Sequence, residues 1–518
     1  MFTKEAKRFF LMGLSLVMMV VLAACGSADT PEVAENTETE SDRVLVVAHG
    51  ADAVSLDPQF VNDGFSAIVN TQIYETLVSR DSDMNIIPAL AKEWTQIDEL
   101  TYEFKLREDV YFHNGEHFTA ADVEFTLLRA LDSAIASPIL GDIDPNGIEV
   151  IDDYTIRIST KQPFAPILAS LGHSTAFIVN EKAVTEFGEA YNQNPVGTGP
   201  FKFENWNRGS SVALVRNDDF HGEIPQISGI EFRVIAEASN RLIELETGAI
   251  DMAFGVGPSD VTRIENDESM TLLRRINLAT SYIGINTQKE PFTDVRVRQA
   301  MNYAVNNQLI VDTILEGVGA PATGPMGSNI PGAADDLEGY EYNLERAREL
   351  LAEAGFEDGF STTIWVDNDT TRIDTVTAVA NQLRQVGINV EIQTFEWAAF
   401  LEHLNTGEHD MFMMGWTAVT GDPDYALFPL FHSSQFGSAG NRTFFDNADV
   451  DRLLELARST SDEAERAAYY RELQQLITEQ APWIFLNVGE ALVATRSDVH
   501  GYIPRLNGQQ RLDGVYFE

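Results

Sequence analysis

The sequence predicts a layered α/β fold, and three stretches carry that reading. Val44-Leu45-Val46-Val47-Ala48 is a continuous apolar run of strand length, suited to a strand buried on both faces. Leu344, Ala347, Leu350, Leu351 and Ala354 recur at helical spacing between Asn343, a capping residue, and Gly355, a left-handed stop. Val376, Val379, Leu383 and Val386 repeat that pattern up to Gly387, after which Ile388, Val390 and Ile392 alternate as a half-buried strand. Helix and strand take turns along the chain, which argues for α/β layers rather than a bundle or a sandwich.

Other segments keep the alternation. Ser239 is placed to cap a helix running to Glu246, Gly248 to stop it, and 250–254 to follow as a strand. Thr119-Ala120-Ala121-Asp122 sets a capping hydroxyl three residues before an acid and opens a helix with Val123, Leu127, Ala130 and Leu131 on its apolar face. Before it, 104–106 and 110–112 have strand composition and Asn114-Gly115 is a turn signal.

Composition narrows the function. The 518 residues hold 35 basic and 80 acidic side chains, a net charge of −45, which argues strongly against nucleic acid as a partner. With 44% hydrophobic and 10% aromatic residues, the chain has ample material for large cores, and its length suggests two or more domains. The acidic excess reads as a solvated surface for solubility or salt tolerance, in preference to a cation-binding role.

The single cysteine is Cys25. Lys4, Lys7 and Arg8 precede an apolar run from Phe9 to Ala24 that closes as Leu22-Ala23-Ala24-Cys25-Gly26. A charged start, an apolar middle and small residues before a cut site make a secretory signal, and the run is short for a membrane span. A cysteine directly after Leu-Ala-Ala resembles the lipobox of bacterial lipoproteins, where the thiol is lipidated and becomes the first residue. That resemblance implies a signal peptide over 1–25 and lipidation at Cys25, which excludes disulfides, thiolate metal sites and cysteine catalysis. Residues 26–42, polar and acidic without apolar periodicity, read as a disordered tether, with folding from Arg43. The expected location is the extracytoplasmic face of the cell membrane, held by lipid alone, and the long acidic stalk suits a Gram-positive surface better than a periplasm.

Further blocks carry a family resemblance. FKLREDVYFHNGEHFTAADVEFTLLRALD (104–132), PVGTGPFKFENW (195–206), PFTDVRVRQAMNYAVN (291–306), NLERARELLAEAGF (343–356) and GWTAVTGDPDYALFPLFHSS (415–434) occur in order. Together they resemble the family 5 extracellular solute-binding proteins, the peptide, dipeptide, nickel and glutathione receptors of ABC importers, over essentially all of 43–518. The resemblance implies a two-lobed periplasmic-binding-protein-like fold of the class II, or cluster C, type. One lobe is expected over 43–282 plus 492–518, with an inserted subdomain near 80–190, and the other over 283–491. Strands at 282–286 and 491–494 would be the hinge, with ligand buried in the cleft on closure. The implied partners are a short or glutathione-like peptide and the permease of an importer. The chain is expected to act as a monomer, with no cofactor and no enzymatic activity.

The resemblance also nominates site residues. Gly415, Trp416 and Thr417 fall where peptide-binding members offer a strand edge to the ligand backbone. Dipeptide and oligopeptide receptors of the family carry an aspartate three residues after that tryptophan, where it pairs with the ligand ammonium. Here the residue is Val419, and a buried ammonium without a carboxylate is costly. Asp422 is the nearest acid that follows, although Gly421-Asp422-Pro423-Asp424 also reads as a turn into a capped helix. With Pro429-Leu430-Phe431-His432-Ser433-Ser434, this pattern is similar to the glutathione-type branch. Arg372 lies close to where dipeptide receptors hold the ligand carboxylate, and an exposed helix-start arginine is the plainer alternative. Asp63 and Phe65 follow the first strand, at the carboxyl end where α/β sheets bind ligands.

Other motifs are weaker. His113 and His117 flank Glu116, but Asn114-Gly115 breaks any helix between them, so no metal site is expected. His403 and His409 are expected at the surface. PVGTGPF lacks the spacing of a phosphate loop, and no nucleophile elbow or His-Glu-x-x-His site appears. Two other readings stay open: a receptor for a nickel chelate, haem or another small solute, and a secreted hydrolase.

Overall fold

A computed structural model describes residues 43–61, 63–437 and 440–518. Cys25, the expected signal peptide and the expected tether lie outside the described residues.

The main sheet has 11 strands. Ten run in the order Ile388–Phe395, Phe360–Asp367, Met411–Thr417, Met270–Ile285, Trp483–Arg496, Met252–Phe254, Val44–His49, Gly229–Val234, Ser211–Arg216 and Phe201–Asn207, and Ala320–Pro321 pairs with Trp483–Arg496. Val44–His49 lies parallel to both neighbours, Gly229–Val234 and Met252–Phe254. Leu45, Val47 and Ala48 are fully buried, as a two-sided apolar run requires.

Two strands are unusually long. Met270–Ile285 (16 residues) and Trp483–Arg496 (14 residues) pair antiparallel, and the register shifts between Ile276 and Thr280 and again between Ser281 and Tyr282. Before the first shift, 270–276 pairs with 490–496, whose far side meets Met252–Phe254. After it, 280–284 pairs with 483–488, and Met411–Thr417 lines up on residues 279–285. Separate cores follow from this division. Leu45, Phe232, Met252 and Val493 gather on one side of that shift, and Ile283, Ile364, Met411 and Leu486 on the other. Across the second stretch, Tyr282 stacks on Trp483 with centroids 3.5 Å apart at 3°.

Part of the 80–190 segment builds its own four-stranded antiparallel sheet: Ala91–Gln96, Thr101–Leu106, Thr155–Thr160 and Ile143–Asp152. Helix Ala120–Leu131 packs on it and opens as its sequence indicates, the Asp122 carboxylate accepting from the Thr119 N–H (3.0 Å) and hydroxyl (3.2 Å).

The periodic helices form where the spacing places them. Asn343 caps Leu344–Glu353 by accepting from the Arg346 N–H (2.9 Å), with Ala347, Leu350 and Leu351 buried and Gly355 left-handed at φ 86°. Thr370–Leu383 buries Val376, Val379 and Leu383 before Gly387 turns at φ 88° into Ile388–Phe395. One boundary departs from expectation. Helix Ala238–Glu246 already includes Ser239, and the strand after it begins at Met252, not 250. Arg241 sets that turn, its guanidinium donating to the carbonyls of Ile235, Ala236 and Gly255 at 2.6–2.9 Å in place of a hydroxyl cap.

Candidate functional site

Met411–Thr417 is covered by strand Phe360–Asp367 only at its start, through Ile364↔Met411 and Trp365↔Phe412. Its other edge is fully paired to Met270–Ile285, with Trp416 opposite Thr280 and Gly415 opposite Ser281. Residues 413–417 therefore keep one edge that no described strand covers. Half of the main-chain donors and acceptors of an antiparallel strand turn to each side, so this edge offers alternating N–H and C=O groups.

Side chains beside that edge divide their duties. The indole Nε1 of Trp416 donates to the Tyr425 carbonyl (2.8 Å) and its ring lies 5.3 Å from that of Tyr425, so one face is spent on packing. Thr417 is exposed and Val419 half-buried, and the Val419 N–H turns back to the Thr417 carbonyl (2.8 Å). Gly421 is left-handed at φ 64°, and a Cβ there would stand 2.3 Å from Met84 Cε and 3.5 Å from the Arg80 guanidinium carbon. The loop 418–422 is thus seated against the segment at 80–84.

Asp422 is fully engaged. It caps helix Pro423–Phe431 through the Asp424 N–H (2.8 Å), and both of its oxygens receive Arg466 (2.6 and 3.0 Å). Such a two-pronged pair leaves little capacity for a ligand ammonium, so the geometry favours the turn-and-cap reading of this acid. Beside it, burial pushes Asp424 up to about 7. Arg458 Nε stands 3.6 Å from Asp424 and its Nη2 2.9 Å from Asp142. That chain ties the helix after loop 418–422 to the four-stranded subdomain.

The remaining nominated residues sit apart from the strand edge. Asp63 caps helix Gly64–Ile73, accepting from the N–H groups of Phe65 (3.1 Å) and Ser66 (2.9 Å). Phe65 stacks on His49 (5.4 Å, 20°) and helps wall an apolar recess with Ile68, Phe254, Val256, Val318 and Leu492. Arg372, in the first turn of Thr370–Leu383, donates to Asp367 (2.9 Å) and lies 5.5 Å over the exposed Trp397 ring. A ligand carboxylate there would have to share the guanidinium with Asp367. The structure therefore gathers Gly415, Trp416, Thr417, Val419 and Asp422 on one segment, while Phe65 and Arg372 each keep other partners.

His113 and His117 are both bonded within the chain. His113 Nε2 bonds the Gly199 carbonyl (2.9 Å), and burial pushes it down to about 4. His117 Nε2 meets the Glu108 carbonyl (3.0 Å) and its Nδ1 the Tyr154 hydroxyl (3.3 Å). Among the described residues no group of three or more His, Cys, Asp or Glu side chains is placed to hold a metal. His403 is exposed as expected, but His409 is not: it is fully buried, bonded to the Arg442 carbonyl (2.8 Å) and packed by Trp365, Phe412 and Phe444. It precedes a buried strand and is carried inside with it. The Gly-Thr-Gly-Pro turn is a close approach and no ligand loop, since a Cβ on Gly197 would fall 2.1 Å from the Ile73 carbonyl oxygen. No helix among the described residues is long and apolar enough to cross a membrane.

Sequence reasoning missed the pairing of Asp422 with Arg466 and an arginine-lined cavity formed by Arg80 and Arg505. Partners 44 and 425 residues apart leave no local pattern to read.

Comparison with known proteins gives a consistent result. Residues 85–438 match the family described as bacterial extracellular solute-binding proteins, family 5, middle. The glutathione-binding protein GsiB of Pectobacterium atrosepticum is 33% identical over 469 residues, covering 88% of this chain and 91% of the relative. Among solved structures, the periplasmic binding protein DppA from Helicobacter pylori in complex with peptide STSA superposes with a TM-score of 0.78 at 33% identity, over 92% of this chain and 98% of that one. HbpA2 from Haemophilus parasuis superposes at 0.84 with 28% identity, over 92% and 100%.

Proposed function

Because the chain belongs to the bacterial extracellular solute-binding proteins of family 5, with their two-lobed α/β fold, we propose that it captures short peptides, glutathione-like ones foremost, for an ABC importer. The observation that carries this reading is the uncovered strand edge at 413–417. Main-chain groups bind an extended ligand backbone without reading its side chains, which is the recognition a peptide receptor needs. The identity to a glutathione-binding relative along most of both chains supports the γ-linked ligand class.

In this reading Gly415, Trp416 and Thr417 present the edge, Val419 and Phe65 line the cleft, and Asp63 and Asp422 hold the loops in shape. Arg372 remains a carboxylate partner in competition with Asp367. The hinge in this reading stays in the two long strands that carry the expected 282–286 and 491–494, and the register shift between Ile276 and Thr280 falls between those stretches along the ladder. Lipidation at Cys25 keeps the receptor beside its permease, and closure on ligand is the signal the permease reads.

A thermal-shift panel tests this. Glutathione at a hundred times its dissociation constant should add about 2.7 kcal/mol, or about 3 °C for a chain of this size. Nickel–histidine and haem at the same excess should give no shift. A shift with those solutes and none with any di-, tri- or γ-linked peptide would replace this reading with the chelate receptor.

A further inference from the structure

An open recess of about 460 Å³ lies at the carboxyl ends of the parallel strands Val44–His49 and Met252–Phe254, where α/β sheets take their ligands. Phe65 and Ile68 come to it from helix Gly64–Ile73, Phe254 and Val256 from the end of a strand, Leu492 from the long ladder, and Val318 from the loop before Ala320–Pro321. Its volume falls in the range of small-ligand sites, which are mostly apolar. The two polar wall side chains, Glu490 and Gln510, are both engaged. Glu490 accepts a two-pronged pair from Arg274 (2.9 and 3.0 Å) and a third bond from the Gly319 N–H (3.0 Å). Gln510 Oε1 receives the Tyr502 hydroxyl (2.6 Å) and the Arg505 N–H (2.9 Å), and its Nε2 donates to the Arg505 carbonyl (3.2 Å). A charged group placed here would lose water without gaining a partner, whereas an apolar group gains by burial.

The walls are held in place. Gly317 and Gly319, on either side of Val318, are left-handed (φ 79° and 89°), and a Cβ on Gly319 would stand 2.4 Å from the Val488 carbonyl oxygen. The Gly317 carbonyl accepts from Arg274 (3.1 Å) and the Gly319 N–H is the one that Glu490 holds, so one ion pair fixes both flanks of Val318. Phe65 is fixed by its stacking on the buried His49. The recess and the strand edge also share a ladder rung. Trp416 lies opposite Thr280, Thr280 opposite Val488, and Val488 opposite Ala320, two residues past Val318. Three strand spacings make that span about 14 Å, the reach of about four extended residues.

We propose that this recess is the specificity pocket of the cleft, and that it takes a bulky apolar side chain or substituent of the captured solute. The identity of the occupant rests on the peptide-receptor reading, and the apolar character of the site does not. Within the lobe boundaries of that reading, Val318, Glu490 and Ala491 belong to one lobe and the other walls to its partner lobe, so closure tightens the recess around its occupant. Glutathione, with only a small thiol to offer, leaves most of the space unfilled. A glutathione-like peptide with an apolar group on its sulfur fills it.

Calorimetric titration of glutathione and of S-hexylglutathione into the lipid-free Cys25→Ser chain tests the occupant, and binding of the neutral fluorescent dye Nile red tests the recess. Burial of the hexyl chain should tighten binding by about 10- to 100-fold over glutathione. Val318→Asp should erase most of that ratio, and Val318→Ala should keep part of it. The dye should brighten on binding, and S-hexylglutathione should displace it. Equal affinity for the two peptides, with the dye displaced by neither, would overturn the recess as a ligand pocket and leave the peptide-receptor reading intact. A ratio that survives Val318→Asp would place the hexyl chain elsewhere and overturn the assignment. Binding of the dye by a chain that takes neither peptide would sink the peptide-receptor reading, and with it the occupant, while the apolar site would stand.

Discussion

Val419 presents an isopropyl group where dipeptide receptors of the resembled family place an aspartate, and it sits half-buried at the end of the strand edge. Val419→Asp should therefore strengthen binding of free-amine dipeptides by about tenfold or more, read by calorimetry, while unchanged affinity would place the ammonium elsewhere. Asp422 is argued differently. Truncation to Ala leaves the half-buried Arg466 without its carboxylate, so Asp422→Ala should lower stability by about 3 kcal/mol in chemical denaturation, whether or not ligand is present. Asp424 carries a pH signature, since burial holds its folded pKa at about 7, above that of the unfolded chain. The folded state then keeps its proton longer, so the contribution of Asp424 to stability falls as pH rises from about 4 towards 7. Asp424→Asn should flatten that slope. A slope unchanged in the variant would remove Asp424 as its source.

At the scale of elements, two contacts fix how loop 418–422 sits. Gly421 packs against Met84 with no room for a Cβ, and its φ of 64° disfavours any other residue. Gly421→Ala should cost about 1 kcal/mol from backbone strain alone, and more if Met84 cannot move. Arg458 bridges Asp142 and Asp424, so Arg458→Met should loosen the tie between the subdomain and helix Pro423–Phe431 and weaken ligand affinity without changing the strand edge. How much of this was legible in the sequence depended on range. The helices at 119–131, 343–355 and 370–387 were readable because an apolar spacing of about 3.6 residues lies within one short window with a cap in the first, with a cap and a left-handed glycine in the second, and with a left-handed glycine in the third. Asp422 was readable as a turn acid, but its partner Arg466 was not, since nothing local encodes a contact 44 residues away. His409 was misplaced at the surface for a similar reason: its acidic neighbours suggested a loop, while the buried strand beginning at Met411 draws it inside.

For the whole molecule, the two long strands are the continuous link between cores that otherwise form separately around Phe232 and Met411. In the proposed function a hinge in these two strands would let the lobes close with few residues changing conformation. Cys25→Ser should release a chain that binds ligand unchanged but no longer sediments with membranes, since the proposed anchor is separated from the cleft by the 26–42 segment. In the proposed function the cleft receives a short, glutathione-like peptide. Calorimetric titration of glutathione into the Cys25→Ser chain measures that directly. Saturable one-to-one binding is expected, which a free-amine neutral dipeptide such as Ala-Ala does not match. Absence of heat with glutathione, alongside tight binding of Ala-Ala or of nickel–histidine, would contradict it.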